Sequence, residues 1–261
     1  MLEVEAYRQL AHRALDRPIV RVDARDAWFL KGGIGPSDVI DALTGRQFGA
    51  DRRIGKLLLL DVVDGPTLGV RFGMTGRLLV DGDAAIDRLE YSSDRNDPAW
   101  DRFGLTFADG GRFVVRDPRR LGAIELDPDE SRLGPDAGSI TTGQLAVVLG
   151  DSEAPLKARL LDQARIAGLG NLLVDEILWR AGLDPARPAR SITPVERRRL
   201  RRRIVSTVAE LGERGGSHTG DLQVMRSRDG VCPRDGAPLQ RRTVGGRTTY
   251  SCPVHQPSQQ R

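Results

Sequence analysis

The sequence predicts an α+β chain of more than one domain, β-rich in its first half, helical in its second and closed by a small hairpin ribbon. Three observations predict it. Short apolar or alternating runs, broken by Asp-Gly and Gly-Gly turn signals, fill the stretch from about Ile19 to Leu126. Helical spacing takes over after a polar connector, "DPDESRLGPDAGSITTG". Both cysteines, Cys232 and Cys252, stand in Cys-Pro pairs twenty positions apart near the C-terminus. With 261 residues the chain can bury two modest cores, and 39% hydrophobic against 29% charged residues is a globular balance rather than a disordered one.

Taken in order, residues 2 to 16 space Val4, Tyr7, Leu10, Ala11, Ala14 and Leu15 at helical intervals, so an amphipathic helix opens the chain. The runs "LLLLDVV", "LGVRFG", "RLLVDG", "FGLTFADGGRFVVRD" and "AIEL" follow as strands of an antiparallel sandwich or barrel. In the second half, "EAPLKARLLDQARIAGLGNLLVDEILWRAGL" reads as two helices joined by a glycine-bearing turn. Leu160, Leu161 and Ala164 give the first its apolar face; Leu173, Ile177, Leu178 and Ala181 give the second its own. Asn171 stands where an N-cap is wanted, ahead of Asp175 and Glu176 read as an acidic first turn. A helix N-terminus approached by a glycine turn exposes backbone N–H groups that suit a phosphate, and the same pattern also describes an ordinary capped hairpin.

Charge is distributed unevenly. From Arg187 to the end there are sixteen Lys plus Arg against six Asp plus Glu, a net of +10, while residues 1–186 carry −6. Such asymmetry points to a polyanion held mainly by the C-terminal part, although "VERRRLRRR", Val195 to Arg203, also suits a solvated basic helix. No run approaches ~18 uninterrupted apolar residues, and "MLEVEAYRQL" is acidic where a signal peptide is basic. A cytoplasmic location with no membrane partner is therefore expected. Among three lysines in an arginine-dominated chain, Lys56 follows a glycine at the mouth of an apolar run, where a turn could present its amine; a lysine, unlike an arginine, can lose its proton and act in catalysis.

Asp235 follows Cys232 and His255 follows Cys252 with two residues between the members of each pair, and sixteen residues separate the pairs. This is ribbon geometry, two Cys-Pro-x-ligand knuckles with "VGGRTT" turning between strands. Zinc accepts two thiolates, an imidazole and a carboxylate oxygen, while a metal-free ribbon in which Asp235 caps a turn fits the same residues. A cytosolic setting favours metal over a disulfide.

Together these pieces resemble the formamidopyrimidine-DNA glycosylase and endonuclease VIII family over nearly the whole chain. "LEVEAYR" is similar to the family's N-terminal Pro-Glu-Val-Glu helix, Gly55 and Lys56 to the start of its catalytic strand, and "FGMTG", Phe72 to Gly76, to its intercalation loop. "DPRRLG", Asp117 to Gly122, resembles its second wedge, "AGLGNLLVDEILW" its helix-two-turn-helix, and "VGGRTTYSCP" its zinc finger. The resemblance implies a catalytic N-terminal β-sandwich with its helix over residues 1–130, a helix-two-turn-helix DNA-binding domain over 131–220, and a zinc finger and tail over 221–261.

It further implies a monomeric DNA-repair enzyme, nucleoid-associated, that removes a damaged base from double-stranded DNA and cuts the backbone at the abasic site. The family nucleophile is an N-terminal amine that attacks sugar C1′ and forms a Schiff base, which acidifies the C2′ proton and permits β-elimination. Lys56 would stand near the lesion phosphate and sugar. Met74, Arg119 and Leu121 would fill the gap left by the everted base, and Asn171 and Arg247 would hold flanking phosphates. Cys232, Asp235, Cys252 and His255 would hold one structural zinc ion. Leu121 replaces a phenylalanine common in the family, which bears on the opposite base.

Two departures follow from the same resemblance. Members begin Met-Pro-Glu, whereas Glu3, Val4 and Glu5 match only the end of that stretch, leaving the Met1 amine about two residues, roughly 7 Å, short of the nucleophile position. An upstream start that restores the proline is the expectation. The alternatives are Lys56 or Met1 as the amine with Glu3 assisting, or a lesion-binding protein impaired in catalysis. The segment between Gly216 and Cys232 is shorter than in members that enclose 8-oxoguanine with a loop, which favours an oxidised pyrimidine, a ring-opened base or an abasic site.

Overall fold

A computed structural model of the chain describes residues 1–86, 95 and 97–258. It divides into two compact units, Glu3–Glu130 on one side and Met1–Leu2 with Ser131–Arg261 on the other.

The first unit is a two-sheet sandwich. After α1 (Leu2–Ala11) come β1 (Ile19–Asp23), α2 (Pro36–Leu43), β2 (Phe48–Ile54), β3 (Leu57–Val62), β4 (Thr67–Arg71), β5 (Arg77–Val80), β6 (Asp83–Ala84), β7 (Asp101–Phe107), β8 (Arg112–Arg116) and β9 (Ala123–Leu126). One sheet runs β1-β7-β8-β5-β6 and the other β2-β3-β4-β9, with every neighbouring pair antiparallel. Leu58, Leu60 and Val70 from one sheet meet Leu78, Val80, Phe103, Leu105 and Val115 from the other in a single core with Tyr7 and Ala11 of α1. Leu57 and Leu59 are buried as well, so β3 is covered on both faces and reads as a continuous apolar run rather than an alternating one.

The helix α2 was not anticipated in this β-rich stretch. Pro36 opens it, the Asp38 carboxylate accepts the Gly35 N–H at 2.7 Å, and only Val39 and Leu43 are buried, so two turns are too short to print a helical period.

The second unit holds α3 (Thr142–Leu149), α4 (Leu156–Leu161), α5 (Asn171–Ala181), α6 (Pro194–Glu213) and the hairpin of β10 (Gln240–Val244) with β11 (Arg247–Ser251). Its core draws on Leu145, Leu156, Leu160, Ile177, Leu200 and Leu211, and Met1 and Leu2 are buried in the same cluster. A smaller cluster of Trp179, Leu222, Cys232 and Cys252 lies under the ribbon. The helix α6 is fixed at its start by a capping box between Thr193 and Glu196. Glu196 also takes Arg187 on both oxygens at 2.6 and 2.8 Å, and that guanidinium lowers its carboxyl to about 2.

Three readings of this half need correction. The N-cap of α5 is Gly170, extended at φ −120°, and Asn171 is the first helical residue, free to use its side chain elsewhere. Asp175 and Glu176 belong to the second turn and are buried against cations rather than solvated beside the N-terminus. Ala164 lies beyond the end of α4 and is exposed, because that helix stops at Leu161. Among the described residues no helix is long and apolar enough to cross a membrane.

Candidate nucleic-acid interface and metal centre

In the sandwich unit, two loops come together around one buried carboxylate. Asp117 accepts the Thr75 hydroxyl at 2.5 Å on Oδ1, and on Oδ2 the N–H groups of Leu121 at 2.7 Å and Gly122 at 2.8 Å. A further bond from Arg119 N–H at 3.1 Å closes the turn. The loops touch directly: a Cβ on Gly73, whose φ is +60°, would lie 2.7 Å from the Leu121 backbone. Only glycine fits there, both for its dihedral and for the contact. Arg120 adopts φ +53°, an unfavourable conformation for its type, and is held by its Nε bond to Asp26 at 2.7 Å.

The loops present Met74, 53% exposed, and Leu121, 42% exposed, with the exposed Arg119 in the same turn, its own N–H held by Asp117. Two large apolar side chains held in water on rigid loops are unfavourable unless something covers them. Beneath them, Phe72 is buried against Tyr7 with ring centroids 4.4 Å apart, and the Tyr7 hydroxyl donates to Gly76 O at 3.1 Å. Burial first, and the charge of Glu3 second, push the Tyr7 phenol well above its ordinary range, so it stays a donor.

Lys56 sits in a two-residue turn, Gly55–Lys56, between the paired Ile54 and Leu57. Gly55 supplies the positive φ of +59° that such a turn requires. Arg53 donates to Gly55 O at 2.8 Å and through Nε to Glu5 at 3.0 Å, which ties the turn to α1. Burial opposes ionisation of Glu5, but Arg8 and Arg53 outweigh it and hold the carboxyl below its usual range. Glu3 is half-buried on the same helix.

In the helical unit, Asn171 and Arg247 are brought together by the ribbon. Asn171 Nδ2 donates at 3.1 Å to the carbonyl of Thr248, the residue after Arg247, while its buried Oδ1 has no hydrogen-bond partner among the described residues. The ribbon turn is Gly245–Gly246, both at positive φ, and a Cβ on Gly245 would lie 2.6 Å from Ala158 Cβ. This close seat on α4 leaves Arg247 exposed at the start of β11, beside the uncapped N–H groups of α5.

Cys232, Asp235, Cys252 and His255 each offer one ligand atom, and the four atoms lie within 4.8 Å of one another. The surroundings suit thiolates and a coordinated imidazole. Arg234 N–H and Val254 N–H point at the sulfurs of Cys232 and Cys252, each at 3.4 Å, and Trp179 Nε1 donates to Cys232 Sγ at 3.3 Å. His255 Nε2 lies 3.2 Å from Trp179 O, which fixes Nε2 as the donor and turns Nδ1 toward the other three groups. Burial pushes the Cys252 thiol up to about 11, so a cation is what would make it a thiolate at neutral pH. Among the described residues, this donor set fits one tetrahedral zinc ion.

Of the candidates named from the sequence, Lys56, Glu3, Met74, Arg119 and Leu121 fall in the sandwich unit, and Asn171, Arg247 and the four metal-ligand candidates fall in the helical unit. Sequence reasoning missed the residues that hold them: Tyr7, Arg53, Thr75, Lys157 and Asp175. The Asp that opens "DPRRLG" could have been found, since an Asp-Pro start before two arginines is a turn signal with a carboxylate free to cap N–H groups.

Comparison with known proteins is consistent in both units. Residues 1–124 match the formamidopyrimidine-DNA glycosylase N-terminal domain and residues 133–222 the formamidopyrimidine-DNA glycosylase H2TH domain. The formamidopyrimidine-DNA glycosylase of Paracoccus denitrificans is 33% identical, covering 97% of this chain and 98% of its own. Among solved structures, Lactococcus lactis FPG (MutM) in complex with FAPY-dG-containing DNA is similar with a TM-score of 0.83 at 25% identity, over 98% of this chain and 99% of that one. The same protein bound non-covalently to abasic-site DNA gives a TM-score of 0.83 at 25% identity, over 99% of each chain.

Proposed function

The chain belongs to the formamidopyrimidine-DNA glycosylase family, and on that premise we propose that it is a base-excision-repair glycosylase and abasic-site lyase acting on double-stranded DNA. The observation that carries this reading is the pair of loops joined by Asp117. They hold Met74, Leu121 and Arg119 outward, and DNA with a missing or everted base is the partner that would cover such side chains. Inserted side chains offset the unstacking of a few kcal/mol per step that eversion costs.

In this reading Met74 and Leu121 enter the space of the everted base and Arg119 addresses the opposite strand. Asn171 and Arg247 take phosphates beside the lesion, with Lys56 contributing a third contact from its turn. The chemistry is attack by an amine on C1′: the C1′–N bond to the base breaks and the base leaves with the electron pair and takes up a proton. The C1′–O4′ bond of the resulting aminal then opens, O4′ taking up the proton the amine gives up, and the iminium so formed acidifies C2′. Removal of that proton expels the 3′ phosphate. Lys56 and Glu3 are the cation and carboxylate assigned to this centre. Cys232, Asp235, Cys252 and His255 hold one zinc ion, which supplies structure to the ribbon and no step of the reaction.

Ring-opened purines and abasic sites are the substrate classes favoured, as they are the DNAs named in the complexes of the Lactococcus lactis protein. The work takes place in the cytoplasm on the chromosome. A binder without chemistry is not favoured by the relatives: the protein from Paracoccus denitrificans, covered over 98% of its length, is a named glycosylase. Borohydride reduction in the presence of abasic-site duplex tests the proposal. A covalent protein–DNA adduct is expected, and its absence at saturating protein, with binding intact, would overturn the enzymatic reading.

A further inference from the structure

We propose that Asp175 is the positioning residue of the phosphate grip: a buried carboxylate on α5 that locks the ribbon so that Arg247 and Asn171 meet the same stretch of DNA backbone. The inference rests on the DNA-binding reading above and names a residue that acts through others.

Asp175 is fully buried, and both of its oxygens are occupied. Oδ1 accepts Lys157 Nζ at 2.6 Å, while Oδ2 accepts the Arg226 guanidinium and the Tyr250 N–H, the latter at 3.2 Å. Arg226 also lies over the Tyr250 ring, 4.8 Å from its centroid. A single side chain on α5 therefore holds α4, the segment before the ribbon, and β11.

From Asp175 two relays reach Arg247. Lys157 Nζ donates to Thr249 Oγ1 at 2.8 Å, and that hydroxyl in turn donates to the Arg247 carbonyl at 3.0 Å. Lys157 also donates at 3.1 Å to Thr248 O, the same carbonyl that receives Asn171 Nδ2 at 3.1 Å. The carbonyls of the two peptides that flank Thr248 are thus fixed by an ammonium that Asp175 orients. One carboxylate serves both Lys157, fully buried, and Arg226, part-buried, and holds them in place against β11.

Removing the charge while keeping the shape tests this. Wild type, Asp175→Asn, Arg247→Ala and the double variant are titrated, as zinc-loaded full chains, into a fluorescent duplex carrying a tetrahydrofuran abasic analogue over a range of salt. Zinc content and melting curves are recorded alongside. Asp175→Asn is expected to weaken binding about tenfold and to lower the salt slope by about one charge, as Arg247→Ala does. The double variant should lose clearly less than the sum of the two single losses, because both changes remove the Arg247 contact. In turnover the loss should appear in KM with kcat retained.

A purely structural role would lower the melting temperature but leave the affinity of the folded protein and its salt slope at wild-type values; that result, or full additivity in the double variant, overturns the proposal. If Asp175→Asn does not fold, Thr249→Val decides, since it cuts the relay to Arg247 O and leaves the Lys157–Asp175 pair. An unchanged salt slope in that variant overturns it equally. Should Arg247→Ala itself bind like wild type, the phosphate grip is wrong and the failure lies with the functional reading.

Discussion

The hydroxyl of Thr75 donates to Asp117 at 2.5 Å, joining residues 42 positions apart in two loops that carry Met74 on one side and Leu121 on the other. Asp117 has no exposure to solvent, so its four hydrogen bonds replace all the water it would otherwise hold. Asp117→Asn keeps the volume but sets an amide among N–H donors. Each donor left unmatched costs about 1–3 kcal/mol, so the variant should melt several degrees lower. It should also lose preference for abasic over intact duplex, read by fluorescence anisotropy.

Gly73→Ala acts on the same contact from the other side. The added methyl meets the Leu121 backbone at 2.7 Å in a conformation at φ +60° that alanine resists, so the loops must separate. Strain of about 1–3 kcal/mol is expected in thermal unfolding, with loss of turnover larger than the loss of stability accounts for.

Arg187 and Glu196 set an acid limit on the start of α6. The folded carboxyl, at about 2, lies below its ordinary 4.5, so the pair contributes stability that is complete above about 4.5 and disappears as pH falls through 2. Glu196→Gln should therefore be less stable than wild type at neutral pH and converge with it near pH 2. Denaturant melts at several pH values follow this directly.

Metal removal should act through Trp179, whose indole N–H meets Cys232 and whose carbonyl meets His255. A chelator is expected to change Trp179 fluorescence and to abolish DNA binding, because β11 and Arg247 belong to the ribbon the ion organises. Asp235→Ala should bind zinc about 10-fold or more weakly, measured by competition with a chromogenic chelator; unchanged affinity would remove Asp235 from the ligand set.

Legibility in the sequence followed the range of the interaction. The Cys-Pro pairs carry a ligand spacing of their own, and Lys56 was visible because it follows a glycine at the mouth of an apolar run; "FGMTG" and "DPRRLG" were legible as wedges only through their resemblance to the family's loops. Asp175 and Glu176 read as first-turn acids because partners that bury them come from far along the chain: Lys157 is 18 residues from Asp175 and Arg226 is 51, while Glu176 accepts the Asp221 and Leu222 N–H groups 45 and 46 residues on. Asn171 read as a cap because a capping asparagine and one that reaches Thr248, 77 residues on, look alike in sequence. The two-sheet order was likewise hidden, since β9 closes against β4 across more than fifty residues and no periodicity records a partner.

The most direct measurement compares the affinity for duplex with one abasic site against the same duplex intact, at moderate salt, for wild type and for the Met74→Ala/Leu121→Ala variant. Wild type should bind the gapped duplex more tightly by about tenfold or more, and the variant should lose that preference while holding intact duplex as before. Equal binding of both duplexes by wild type, or a preference that survives truncation of both side chains, would contradict the account.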